Sequence, residues 1–62
     1  MTDHYQIDKM ARRIRTIRKA AAELKELSGG IQAVERNADR ILASAHMLEL
    51  NISEVAGLVR KD

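Results

Sequence analysis

The stretch Leu24-Lys25-Glu26-Leu27-Ser28-Gly29-Gly30-Ile31-Gln32-Ala33-Val34 decides the architecture of this 62-residue chain. Upstream of it, apolar residues recur at Ile7, Met10, Ile14, Ile17, Ala21 and Leu24, in alternating steps of three and four. That is the a/d pattern of a helix that buries one narrow seam. Ser28 takes the next a position, and the pattern restarts at Ile31, Val34, Ala38, Ile41, Ala45, Leu48, Ile52, Val55 and Val59. From Ser28 through Ile31 to Val34 the steps are three and three, so the heptad phase slips at the two glycines. Each glycine costs a helix interior about 1 kcal/mol relative to alanine. A slip at that dipeptide predicts a turn at 28–30 between helices over about 3–28 and 31–60. Gly29 suits the left-handed C′ position that ends the first helix, and Gly30 is expected to cap the second. One continuous helix, kinked at the glycines, is the competing reading.

Composition points the same way. Proline, cysteine, phenylalanine and tryptophan are absent, and Tyr5 is the one aromatic residue. Strong helix formers dominate, whereas a β fold draws on aromatic and β-branched residues and needs several turns. Asp3 and Asp8 near the start of the first helix, and Lys25 near its end, complement the helix dipole. Glu35, Arg60 and Lys61 do the same for the second. The expected fold class is therefore all-α: a single helical-hairpin domain over 1–62. The first residues form no apolar leader, and the apolar runs are far too short for a membrane span, which predicts a cytoplasmic protein without membrane contact.

Folding the helices back at the glycines places opposite residues at numbers summing to about 59 by heptad geometry. Ile7 then faces Ile52, Ile14 faces Ala45, and Ala21 faces Ala38. The other layers set Met10 near Leu48, Ile17 near Ile41 and Leu42, and Leu24 near Val34 and Glu35. A 62-residue monomer buries only about 60% of the surface its unfolded chain exposes. Chains of this size compensate with disulfides, a metal or self-association, and the absence of cysteine removes the first. Ala11, Ala20 and Leu27 in the first helix and Leu42, Ala56 and Leu58 in the second widen the seam toward a bundle face. A homodimeric four-helix bundle is the expected assembly. Its expected interface is Ile7, Met10, Ile14, Ile17, Leu24, Leu27, Val34, Ile41, Leu42, Leu48, Ile52, Val55 and Leu58.

The polar residues carry little chemistry. Bundle metal sites place Glu-x-x-His pairs at core positions of facing helices. Here the a/d positions are Ile, Val, Leu, Met or Ala, with Ser28 at the turn. No catalytic, cofactor-binding or metal-ligating residue is assigned, and no cofactor is expected. His46 and Glu49 fall outside the seam at b and e. The segment Ala45-His46-Met47-Leu48 is similar to the start of a histidine phosphotransfer motif. Glu49 and Leu50 then stand where that family has a lysine and a glycine, and an ordinary surface histidine is the simpler reading. Ala43, Met47 and Leu50 lie on the side of the second helix away from the seam. Isolated exposed apolar residues need no explanation, and the sharper reading makes Met47 and Leu50 a docking strip for a second protein.

Lys9, Arg12, Arg13, Arg15, Arg18 and Lys19 are six bases within eleven residues, with no acid among them. Phosphate backbones attract such clusters. These six wrap the helix instead of forming a stripe, the net charge is only +2, and no aromatic residue is interleaved for stacking on bases. Ion pairing with Asp39 and Glu49 of the second helix is the simpler role. Length, hairpin topology and alternation of small and large layers resemble the plasmid RNA-binding Rop proteins. That resemblance of architecture implies a dimer that would contact nucleic acid through the bases of the first helix. The functional expectation is a small non-enzymatic homo-oligomer acting as a protein-interaction or regulatory module, with nucleic-acid binding as the alternative.

Overall fold

The computed structural model describes the backbone of residues 6–60 and the side chains of residues 6–57. Expectations for Asp3, Tyr5 and Lys61, and for the side chain of Leu58, lie outside the described residues. Two helices, α1 (Ile7–Leu27) and α2 (Gln32–Arg60), pack against each other as an antiparallel hairpin. The Cα trace measures 49 × 15 × 13 Å, about one helix long with two helices side by side across it.

The turn forms where the heptad phase slips. Gly29 and Gly30 adopt φ of +60° and +91°, a pair that L side chains rarely tolerate. Both values are those of the central residues of a type I′ turn, and the Ile31 N–H closes it by donating to the Ser28 carbonyl at 3.1 Å. Ser28 is still right-handed (φ −65°, ψ −22°) and is the last residue in register with α1. Gly29 takes the left-handed C′ position as expected. The cap of α2 is Ile31 and not Gly30. The Glu35 N–H donates to the Ile31 carbonyl at 3.0 Å, while Gly30 belongs to the turn. Ile31 consequently leaves the seam and is 59% exposed.

The core follows a seven-residue repeat. Ile14 and Ala21 on α1 and Ser28 just past its end are buried, as are Ala38 and Ala45 on α2. Ile7 and Ile52 continue the line and are half-buried. Alanine on both sides lets the backbones approach closely, and Ala38 retains no exposed surface. Ser28 is a polar member of this line, where the heptad reading ended it at the turn. Its hydroxyl lies 2.7 Å from the Lys25 carbonyl and 3.1 Å from Glu35 Oε2, and it shares one proton between them. A buried hydroxyl needs such partners, because leaving it unpaired costs about 1–3 kcal/mol. Ser28 thereby ties the last turn of α1 to the first turn of α2.

Candidate interaction surface

Each helix advances about 100° per residue, so residues three and four positions from the buried line fall on opposite flanks of the seam. One flank carries Met10, Ile17 and Leu24 of α1 beside Val34, Ile41, Leu48 and Val55 of α2. Its large side chains are open: Met10, Ile17, Leu24, Ile41 and Leu48 are 38–45% exposed. Near the end of the hairpin away from the turn, this flank dips into a groove of 710 Å³. Met10, Leu48, Asn51 and Val55 are among its lining residues, with Lys9 and Arg13 at its edge.

The other flank is covered. Ala11, Leu42 and Ala56 are half-buried there, and cross-helix ion pairs run above them. Arg18 Nη1 donates to Glu49 Oε2 at 2.5 Å, and Lys25 Nζ sits 2.8 Å from Asp39 Oδ1. The hydrogen bond to Asp39 and the negative charge there, with Glu35 adding a smaller share, hold the Lys25 ammonium above its ordinary value of 10.5. The groove beside Arg18 measures only 180 Å³. Exposed ion pairs contribute little stability, but they place hydrated charge over this edge of the seam.

The structure divides the six bases rather than gathering them. Arg18 is spent on Glu49. Arg15 stands beside it at the small groove, and Lys9 and Arg13 border the large groove on the opposite flank. Arg12 and Lys19 are exposed, and helical geometry sets both on the outer surface of α1. His46 lies 69% exposed with Nδ1 3.9 Å from Glu49 Oε1, a carboxylate already engaged by Arg18. Met47 and Leu50 are exposed, and helical geometry places them away from both flanks. Leu27 is 80% exposed at the rim of the open flank. Among the described residues, no three of His, Cys, Asp and Glu come together, and no helix is long and apolar enough to cross a membrane.

Two features escaped the sequence reading. The burial of Ser28 could have been read from its a position, seven residues after Ala21. The difference between the flanks also had a signal. Asn37, Ser44 and Asn51 repeat every seven residues along the outer rim of the open flank, while Asp39 and Glu49 face the bases of α1 on the other. Fold and surface together define an all-helical hairpin with one open apolar flank. Comparison with known protein families, curated proteins and solved structures finds no match for the chain.

Proposed function

We propose that this chain is a non-enzymatic, self-associating helical protein whose working form is a homodimeric four-helix bundle serving as a protein-interaction or regulatory module in the cytoplasm. The half-exposure of the large seam residues carries this reading. Among the described residues only Ile14, three alanines and Ser28 are buried, and Met10, Ile17, Leu24, Ile41 and Leu48 of the seam keep 38–45% of their surface in water. Apolar surface removed from water stabilises by about 25 cal/mol per Å², so covering this flank supplies what a two-helix core lacks.

Sedimentation across a concentration series, with helicity followed at each point, tests it. The expected result is a mass twice 7.0 kDa with constant helicity over the working range. A monomer of full helicity at every concentration would overturn the reading.

Nucleic-acid binding is the second reading. Lys9, Arg12, Arg13, Arg15 and Lys19 have no ion-pair partner among the described residues, and that observation favours it. It predicts binding to RNA or DNA that weakens steeply with salt. Changing Arg12, Arg15 and Lys19 to Glu together would abolish it. Absence of salt-sensitive binding by the unaltered dimer counts against it. Docking of a second protein on Met47 and Leu50 predicts that Met47→Asp with Leu50→Asp leaves the fold intact and removes partner capture.

A further inference from the structure

We propose that a second copy of this chain docks on the open flank alone, and that the ion-paired flank is what stops assembly at two copies. This rests on the self-association proposed above and assigns it a surface. Met10, Ile17, Leu24, Val34, Ile41 and Leu48 form the middle of that surface, in three layers of large apolar residues.

Three observations select this occupant. The first is area. A compact monomer of 7.0 kDa exposes about 4,000 Å², whereas this hairpin exposes 5263 Å². The excess is of the order that one partner buries in a stable dimer, about 800 Å². The second is length and repetition. The Met10/Leu48, Ile17/Ile41 and Leu24/Val34 layers recur every seven residues. Turned end for end or not, the face of a second hairpin sets large apolar layers against large apolar layers. A two-fold interface requires such self-complementarity. The third is charge. The rim of the open flank is Asn37, Ser44 and Asn51 on α2, and Ala20 and Leu27 on α1, with Lys9 and Arg13 only at the groove end. A neutral rim gives no purchase to a highly charged partner and imposes little like-charge repulsion on a second copy.

The opposite flank has the reverse properties. Arg18–Glu49 and Lys25–Asp39 span it, so a third hairpin approaching there would strip water from two ion pairs and gain little apolar contact. Removing water from paired charges is costly, which closes that edge to growth. One open and one closed flank yield a pair instead of a stack.

The chain has no cysteine, so single cysteines report on each surface without background. The test measures thiol labelling of Ile41→Cys, Leu42→Cys and Met47→Cys across the same concentration series, with helicity and mass checked for each variant. In the dimer, Ile41→Cys is expected to label at least tenfold more slowly than in the dilute monomer. Leu42→Cys and Met47→Cys should keep their monomer rates. A dimer in which Ile41→Cys labels at its monomer rate, or in which protection appears at Leu42→Cys or Met47→Cys, overturns the assigned surface while leaving self-association standing. Monomeric mass throughout fails both proposals and is read from sedimentation, not labelling. A second variant, Arg18→Leu with Glu49→Leu, should keep its helicity and sediment as species larger than the dimer. A strict dimer that persists when Lys25→Leu and Asp39→Leu are added to these two changes would refute the stopping role of the ion pairs.

Discussion

At the turn, Ala21 and Ala38 are buried against each other's helices, and Ser28 bridges Lys25 and Glu35 with its hydroxyl. At the other end, Ile7 and Ile52 are half-buried around a groove of 710 Å³, and Gln6 begins α1 without a side-chain cap. The same heptad produces both ends. The difference comes from side-chain size and from what closes the last layer. Small residues allow close approach of the backbones, and Ala21 and Ala38 are buried within one hairpin. Isoleucines make bulkier layers, and a groove of 710 Å³ stays open beside them. Along the buried line, small residues and Ser28 fill the turn end, whereas open volume remains beside Ile7 and Ile52 at the groove end.

Overfilling the tight end should have the largest effect. Ala38 has no exposed surface, so Ala38→Leu is expected to cost about 1–3 kcal/mol by forcing the helices apart. Chemical denaturation at fixed protein concentration measures it, and an unchanged midpoint would mean that the ends do not differ in packing. Gly30→Ala comes next. No atom obstructs the added methyl, yet φ of +91° should cost about 1–2 kcal/mol from backbone strain alone. Ser28→Ala removes the bridge between the helices and should cost about 1 kcal/mol. Hydrogen exchange sharpens that result, because added exchange confined to residues near the turn would locate the loss there.

The groove end is where a gain is available. Gly57 lies in helical backbone with nothing within 4 Å of an added Cβ. Gly57→Ala should therefore add roughly 0.5–1 kcal/mol and raise protection at the end of α2. The smallest effect is the pH response of Lys25. Its ammonium is held above 10.5 by Asp39, so its contribution is complete below that value and disappears as pH rises through the raised one. Thermal melts of the native chain and of Asp39→Asn from pH 8 upward should converge as Lys25 deprotonates. Because the pair is exposed, the difference stays small throughout.

Much of this architecture is legible in the residues. Steps of three and four from Ile7 to Leu24 announce one seam, and the slip across Ser28-Gly29-Gly30 marks the turn. The pairing of Ile14 with Ala45 and of Ala21 with Ala38 follows from antiparallel heptads, and all four are buried. Periodicity is less informative about sidedness. A heptad states which residues are inward, not whether the edges of the seam are alike. That depends on the neighbours of each a and d position. Arg18 and Glu49 meet only because two helices offset them by one turn to the same side. The heptad reading ends its apolar pattern at Ser28, yet hydrogen bonds to Lys25 and Glu35 let this hydroxyl sit buried in line with Ala21. The cap at Ile31 has a local reason. Glycine is the favoured stop, and two adjacent glycines together leave the next residue to start α2.

The Ser28–Glu35 bridge also bears on how the chain reaches its fold. It joins residues seven apart, the Lys25–Asp39 pair spans fourteen, and Arg18–Glu49 spans thirty-one. Closing a short loop costs less entropy than closing a long one, and every contact made shortens the loop left for the next. The hairpin is thus laid out as a zipper whose first teeth are at the glycines.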